Sequence, residues 1–178
     1  MRTRQIFRTY KGHIIHPLAP DPNAVDIDDI ARSLSQQCRF LGHTQSFYSV
    51  AQHSVLVSEA VPHEDALWGL LHDASEAYLC DLPAPIKREP EMATYRVAEE
   101  RVMACIAFKF GFPSEMPASV AEADKILLAT EFRDVTSVDD LNWIVDECGC
   151  RPWHKRITAW PPAVAEDRFL TRFRELTQ

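Results

Sequence analysis

The stretch LLHDASEAYLCDLP, residues 70–83, joins an apolar helical pattern to a run of ionisable side chains. Its leucines continue the apolar face of a helix that we predict over about residues 63–78. His72 and Asp73 stand side by side on this helix, and Glu76 follows one turn later. Polar groups on an apolar helix cost free energy unless they are paired or bind a ligand. Because the stretch contains no Lys or Arg, its acids need a partner from elsewhere.

Asp81 follows this helix at the point where the sequence becomes rich in proline. Residues 81–90, DLPAPIKREP, contain three prolines and predict an ordered loop. Between helix and loop, Cys80 is interpreted as a small buried side chain that fills space. The stretch therefore predicts a buried helix that brings His72, Asp73, Glu76 and Asp81 into one neighbourhood.

Apolar periodicity and helix-ending residues predict further helices along the chain. They run from Asp26 or Asp28 to about Gln37, Tyr48 to Ala60, Met92 to Phe110, Pro117 to about Phe132, Val138 to Glu147, and Pro161 to Leu176. Residues 4–18, with Ile6 and other apolar side chains around Gly12, predict a short β-hairpin. We therefore expect an all-α fold in a single domain over residues 1–178, a bundle of about six or seven helices with a short N-terminal hairpin.

Composition narrows the class of protein. The chain has 178 residues, 46% of them hydrophobic and 25% charged, which is typical of a soluble globular protein. It has no apolar run of about 18 residues and no signal peptide, so we expect a cytoplasmic location and no membrane partner. The net charge of −7 argues against a broad basic surface for nucleic acid.

The five cysteines are odd in number and show no disulfide framework, so free thiols are expected. Cys148-Gly149-Cys150 with His154 offers an alternative zinc site. This alternative is disfavoured because the usual C-x-x-C spacing is absent and no fourth ligand is evident.

Two further ionisable side chains lie on the apolar faces of predicted helices. His53 shares a face with Val50 and Val57, and Asp124 shares one with Val120 and Leu127. Alone, each has an ordinary interpretation, since buried histidines commonly make one hydrogen bond and inward carboxylates commonly cap a helix or pair with Arg.

Taken together with His72 and Asp73, these two side chains indicate a metal site. Two imidazoles and two carboxylates on facing helices suit a divalent cation, and bundles build metal sites in this way. We predict one divalent metal ion, either Mn, Co, Fe, Ni, Zn or Mg, with the ligands His53, His72, Asp73 and Asp124.

The order His53, His72-Asp73, Asp124 resembles the H…HD…D signature of the HD-domain phosphohydrolases. Three stretches, FYSVAQHSVLVSE, LLHDASEAYLCDLPAPIK and VAEADKILLATE, are similar to its compact nucleotide-hydrolysing branch. That branch contains the bacterial 5′-deoxynucleotidases and the small phage-type deoxynucleotide triphosphohydrolases. The resemblance covers roughly residues 25 to 135.

The resemblance implies a role for each matched residue. Beyond the metal ligands, Glu76 would assist the attacking water, and Asp81 would lie near the sugar and the water. The implied substrate contacts are Arg39 and Lys87 with the phosphates, His43 with a phosphate, and Phe40 where the nucleotidase branch often has Trp. A structural role for His43 is an equal alternative.

The implied function is metal-dependent hydrolysis of nucleotides, most simply deoxynucleoside 5′-phosphates, by attack of a metal-activated water on phosphorus. Mono- and triphosphate substrates stay open, and relatives of this kind are commonly homo-oligomers, dimers or higher. Two other interpretations remain. One is a non-catalytic helical nucleotide-binding module. The other keeps the fold but uses two metals, in a cyclic-nucleotide phosphodiesterase or a two-iron oxygenase, with added ligands such as His13, His43 or His63.

Overall fold

A computed structural model describes residues 7–178, of which the majority are helical. The described part of the chain starts with an antiparallel hairpin in which β1 (Phe7–Arg8) pairs with β2 (Ile14–Ile15). The predicted hairpin is therefore confirmed, although Ile6 lies outside the described residues. No helix within residues 7–178 is both long and apolar enough to cross a membrane.

The helices follow the hairpin in an all-α arrangement. In chain order they are α1 (Ile27–Gln36), α2 (Val50–Ala60), α3 (Ala66–Leu71), α4 (Glu76–Leu79), α5 (Ala84–Lys87), α6 (Ala93–Phe110), α7 (Ala118–Val135), α8 (Leu141–Cys148) and α9 (Pro162–Leu176). Within the described part of the chain, seven of these helices have six residues or more, which confirms the predicted all-α bundle of six or seven helices.

Helix α2 is the central element of the bundle. Its first turn is capped by Ser49, whose hydroxyl accepts from the backbone N–H of Gln52. It packs against α1, α3, α7 and α9, so side chains on almost every face of it are buried. A helix that is surrounded in this way places His53, near its middle, at the centre of the protein.

Two apolar clusters meet at α2. One contains Val55 with Leu71, Ile106 and Phe169, and the other contains Val57 with buried side chains of α3 and α7. Because α2 contributes to both clusters, α3 and α7 are fixed relative to it by apolar packing. This packing sets the positions of the polar side chains that the three helices carry.

The boundaries of the other helices follow local capping chemistry. Asp26 caps α1 by accepting from the N–H of Asp28, as the sequence predicts. Helix α6 ends at Gly111, which adopts the left-handed conformation common after a helix. Helix α9 begins at Pro162, with Pro161 as the preceding cap, so the first proline of the pair lies one position outside the helix.

The helix predicted over residues 63–78 is not continuous, which corrects the sequence interpretation. It ends at Leu71 and resumes at Glu76, and the turn between uses tighter bonds, such as Glu76 N–H to Asp73 C=O at 3.0 Å. In a continuous helix the carbonyl of Gly69 would accept from the N–H of Asp73. Here it accepts from His72 Nδ1 at 2.8 Å, because this imidazole competes with the backbone for the acceptor.

The proline-rich segment is more ordered than the predicted loop. It contains helix α5 and a 3₁₀ turn at Pro90–Met92, because proline is well suited to the first turn of a helix. Cys80, just before it, is exposed and not a buried filler. Its φ of 67° and ψ of 159° favour glycine, and this unusual backbone turns the chain from α4 towards Asp81.

We expect Gly69→Ala to destabilise the protein, although alanine is the better helix former by about 1 kcal/mol. A Cβ at Gly69 would lie 3.0 Å from the Cα of Ser58, where α3 crosses α2. Separating these helices should lower the free energy of unfolding by about 1–3 kcal/mol. Urea denaturation measures this change, and a variant as stable as the wild type would contradict the close crossing.

Candidate metal centre

The four predicted metal ligands converge from three parts of the fold. His53 comes from α2, His72 and Asp73 from the turn after α3, and Asp124 from α7. The Nε2 atom of His53 lies 3.2 Å from His72 Nε2, 3.7 Å from Asp73 Oδ2 and 3.1 Å from Asp124 Oδ1. His53, His72 and Asp73 each offer a ligand atom within 4.8 Å of one another. Asp124, whose side chain is 45% exposed, lies outside this group of three and contacts His53.

Both imidazoles are oriented by a bond from the ring nitrogen that faces away from the cluster. His53 Nδ1 lies 2.6 Å from Glu131 Oε1, and His72 Nδ1 lies 2.8 Å from the Gly69 carbonyl. A carboxylate and a carbonyl can only accept, so each Nδ1 carries the proton. In the neutral rings, both Nε2 atoms therefore present lone pairs to the same point.

The side chains around the two Nε2 atoms carry charges that favour binding of a cation. Burial raises the pKa of Asp73. The nearby His72, His53 and Arg39 outweigh burial and hold this pKa well below its usual range. Against the effect of burial, the hydrogen bond from His53 lowers the pKa of Asp124 to about 2. Burial and Arg39 lower the pKa of His53, but Glu131 and Asp124 outweigh them and raise it to about 9. The cluster thus attracts positive charge, either a proton or a metal ion.

The donor set fits a divalent metal. Two neutral imidazole nitrogens and two carboxylates match the preferences of Mn, Fe, Co, Ni and Zn, and the two negative charges would balance the ion. The orienting bonds on Nδ1 are those that metal-binding histidines ordinarily make. The free thiols of Cys148 and Cys150 do not belong to this group.

Glu131 is a residue of the site that the sequence interpretation did not single out. It is fully buried, and besides His53 it accepts from the hydroxyl of Tyr48 at 2.9 Å and from Arg39. A signal was present, because Glu131 lies seven residues after Asp124 and so on the same face of α7. It also closes the stretch VAEADKILLATE that carries the family resemblance.

Arg39 lies against the cluster, and its contact with phosphate stays a prediction. Its Nε and Nη2 atoms bind Glu131 Oε2 at 3.2 and 3.1 Å, and its Nη1 lies 3.5 Å from Asp73 Oδ2. The following residues, Phe40 and Leu41, both adopt a left-handed φ of 53°. Such backbone is costly in non-glycine residues and is often found at functional sites.

Phe40 and His43 lie beside Arg39 but away from the cluster. The ring of Phe40 packs on Phe132, with centroids 5.3 Å apart, and lies 5.7 Å from the Arg39 guanidinium. His43 follows the same turn and is exposed. Phe40 therefore borders the site, whereas the structure shows no contact of His43 with the four ligands among the described residues.

Glu76 is buried next to the cluster with an unsatisfied oxygen. The residue is 5% exposed, its N–H donates to the Asp73 carbonyl, and its Oε2 atom has no hydrogen-bond partner among the described residues. Burial, together with Asp73 and Asp81, raises the pKa of Glu76 to about 9. A buried carboxyl with a strongly raised pKa beside a metal cluster is a candidate for proton transfer.

Asp81 and Lys87 surround Glu76 on the side of the proline-rich segment. Asp81 is half-buried, and burial raises its pKa. The Nζ atom of Lys87 lies 3.9 Å from Glu76 Oε1 but makes its closest contact, 2.7 Å, with Glu99 of α6. Lys87 therefore lies near Glu76 and is already engaged in an ion pair, and its contact with phosphate stays a prediction.

Comparison of sequences identifies two proteins that are similar to this chain. No protein-family model matches it. It is 41% identical over 171 residues to the uncharacterized protein YfdR of Escherichia coli (strain K12), covering 96% of this chain and 95% of YfdR. It is also 35% identical over 127 residues to the uncharacterized protein RCAP_rcc00048 of Rhodobacter capsulatus, covering 66% of this chain and 64% of that protein. The similarity to YfdR extends over nearly the whole of both chains, and the protein therefore belongs to the same family as YfdR.

Proposed function

We propose that this protein is a metal-dependent phosphohydrolase of the HD-domain superfamily that acts on deoxynucleoside 5′-phosphates. One observation supports it most strongly. Two imidazole Nε2 atoms lie 3.2 Å apart with both Nδ1 atoms already bonded to acceptors, and two carboxylates face them. With both rings neutral, such a group of acceptors repels itself unless a cation lies among them. In the metal-free protein a proton on His53, whose pKa is raised to about 9, supplies the positive charge.

The proposed ligands are His53, His72, Asp73 and Asp124. A divalent cation bound to them would lower the pKa of water in its open positions and polarise a phosphoryl oxygen. Asp73 and Asp124 would balance its charge, while the buried Glu131 remains balanced by Arg39. The binding site would thus be close to neutral before an anionic substrate arrives.

Glu76 is the proposed proton acceptor. The oxygen of the attacking water forms a bond to phosphorus as the bond from phosphorus to O5′ breaks. The proton lost by the water passes to Glu76 and then to the departing O5′, so the products are a nucleoside and an inorganic phosphate or triphosphate. Burial and Asp73 raise the pKa of Glu76 in the metal-free protein, which favours return of the proton. The positive charge of a bound cation would lower this pKa and favour the carboxylate that accepts the proton.

Arg39 and Lys87 are the proposed phosphate-binding side chains. The Nη1 atom of Arg39 is directed to Asp73 and away from Glu131, so it can reach an anion held next to Asp73. The bound cation, together with the remaining N–H groups of Arg39, would let a protein with a net charge of −7 bind an anion. A cytoplasmic location and a homo-oligomeric state remain parts of the proposal.

The position of the other histidines favours one metal over two. His13 is bonded to Asp29 at 2.8 Å, beside the hairpin, and His43 and His63 are exposed. Within residues 7–178, the metal-competent group contains none of the three. An HD phosphodiesterase or a two-iron oxygenase would need such added ligands, so the single-metal phosphohydrolase is preferred.

A substrate panel tests the proposed function. The protein is incubated with each deoxynucleoside mono- and triphosphate in the presence of Mn, Co, Mg or Zn, and the products are separated by chromatography. We expect release of the deoxynucleoside with either orthophosphate or triphosphate, and the second product identifies the subclass. Binding of deoxynucleotides without any release would favour the non-catalytic binding module.

A further inference from the structure

We propose that Glu131 is a positioning residue that fixes both a metal ligand and a phosphate-binding side chain of the candidate centre. This inference rests on the proposed metal centre but not on the identity of the substrate. Glu131 contacts neither the open side of the cluster nor solvent, since its side chain is fully buried. Any contribution it makes must therefore pass through the side chains that it holds.

All the acceptor capacity of this carboxylate is used. Its Oε1 atom accepts from His53 Nδ1 at 2.6 Å and from the Tyr48 hydroxyl at 2.9 Å. Its Oε2 atom accepts from Arg39 Nε at 3.2 Å and lies 3.1 Å from Arg39 Nη2 in the same ion pair. The carboxylate is therefore held by three hydrogen bonds and an ion pair with Arg39.

The bond to His53 sets the ring for metal binding. Because Oε1 accepts from Nδ1, the lone pair of the neutral ring lies on Nε2, which faces His72 and Asp124. A carboxylate in this position also makes the imidazole a stronger ligand. Loss of such a partner ordinarily lowers metal affinity by about 10–100-fold.

The bonds to Arg39 set the guanidinium for an anion. Glu131 contacts the Arg39 guanidinium on its Nε and Nη2 side. The Nη1 atom is left directed towards Asp73. A guanidinium held by two bonds loses less freedom when an anion binds to its remaining N–H groups. One carboxylate thus orients a metal ligand and a phosphate ligand at the same time.

A purely structural role would leave these functions untouched. A buried ion pair is weak evidence of stabilisation, because apolar residues of similar volume are often as stable. Here the ion pair joins the two side chains that bracket the cluster, 78 and 92 residues away from Glu131 in sequence. This placement indicates that the negative charge of Glu131 serves the candidate centre.

The test compares Glu131→Gln with Asp134→Asn in the full-length protein. Both changes replace a buried acid of α7 by its amide, but Asp134 pairs with Arg133 and Arg156, away from the cluster. Calorimetric titration with Mn²⁺, followed by titration of the Mn²⁺-loaded protein with inorganic phosphate, measures both affinities. The visible absorption of bound Co²⁺ reports changes in its ligands.

We expect Glu131→Gln to weaken Mn²⁺ binding about 10–100-fold, to weaken phosphate binding and to alter the Co²⁺ spectrum. Asp134→Asn should change none of these. Wild-type affinities in Glu131→Gln would overturn the inference, and so would equal losses in both variants. A wild-type protein that does not bind Mn²⁺ would overturn it together with the metal centre.

A second variant keeps the test decisive if Glu131→Gln does not fold. Tyr48→Phe removes one donor to Oε1 and leaves the carboxylate in place. We expect it to weaken Mn²⁺ binding about 5-fold, the usual effect of one hydrogen bond, and unchanged Mn²⁺ affinity would count against the inference. Mn²⁺ binding without hydrolysis of any deoxynucleotide would refute the proposed function alone, and the affinities would still decide the role of Glu131.

Discussion

Asp73→Ala is expected to abolish divalent-cation binding and to lower nucleotide hydrolysis by about 10³-fold or more. The Oδ2 atom of Asp73 lies 3.3 Å from His72 Nε2 and 3.7 Å from His53 Nε2, so it belongs to the core of the candidate centre. Its loss removes one ligand and one of the two balancing negative charges. It also releases Arg39 Nη1 from its partner. Calorimetric titration with Mn²⁺ and a product assay measure the two effects.

The matched control for this prediction is Glu59→Ala. Glu59 is an exposed acid of α2, so its replacement removes the same charge without touching the cluster. It should bind Mn²⁺ and hydrolyse substrate as the wild type does, and circular dichroism should show folded helices in both variants. Full activity in a folded Asp73→Ala protein would refute the proposed mechanism.

Glu76→Gln is expected to reduce hydrolysis by about 10²–10⁴-fold, the usual contribution of a general base. Metal binding should persist, because Glu76 is not one of the four proposed ligands. The amide has nearly the same shape as the acid but accepts no proton at neutral pH. A parallel measurement of Mn²⁺ affinity separates this effect from loss of the metal. Wild-type turnover in Glu76→Gln would assign the proton transfer to another group, with Asp81 the next candidate.

The same variant should be more stable than the wild type in metal-free protein. Burial and the neighbouring Asp73 and Asp81 raise the pKa of Glu76 from 4.5 to about 9. The unfolded chain releases its proton near pH 4.5 and the folded chain only near pH 9, so the wild type loses stability as the pH rises through this window. Glutamine does not titrate and avoids that loss.

The size of the gain should therefore depend on pH. We expect Glu76→Gln to raise the free energy of unfolding by about 1–2 kcal/mol at pH 8. The difference between the two proteins should be smaller at pH 5 and should reach its lowest value near the unfolded-state pKa of 4.5. Urea denaturation at several pH values measures this trend, and a difference independent of pH would contradict the raised pKa.

The sequence predicted those parts of the fold that depend on local chemistry. Asp26 begins α1 and Gly111 ends α6 where the capping pattern places them. Inward positions of His53 and Asp124 followed from their spacing to apolar neighbours, because helical periodicity fixes which side chains share a face. The metal site was then an inference from chemistry. In the structure, His53, His72 and Asp73 offer ligand atoms within 4.8 Å of one another, and Asp124 contacts His53.

The features that the sequence did not reveal depend on competition or on distant partners. At the break after Leu71, His72 Nδ1 donates a hydrogen bond to the carbonyl of Gly69. The spacing of apolar residues does not predict this bond. The exposed, positive-φ backbone of Cys80 follows from the chain reversal before Asp81, which no residue preference indicated.

In the candidate site, Glu131 and Lys87 also have distant partners that the sequence did not reveal. Glu131 has no local partner, and its bonds to His53 and Arg39 join residues that only the folded bundle brings together. Lys87 was predicted to contact phosphate, which stays a prediction, and its ion pair with Glu99 was not indicated by the sequence pattern. Long-range pairing of charges is decided by tertiary packing and not by spacing along the chain.

Titration of activity with Mn²⁺ tests the central claim most directly. Protein freed of metal by a chelator receives increasing Mn²⁺, and deoxynucleoside release from the preferred substrate is measured at each addition. With one centre formed by His53, His72, Asp73 and Asp124, hydrolysis should be absent without the cation and should reach its maximum at one Mn²⁺ per chain. Hydrolysis that is insensitive to the chelator, or that requires two Mn²⁺ per chain, would contradict the single-metal centre.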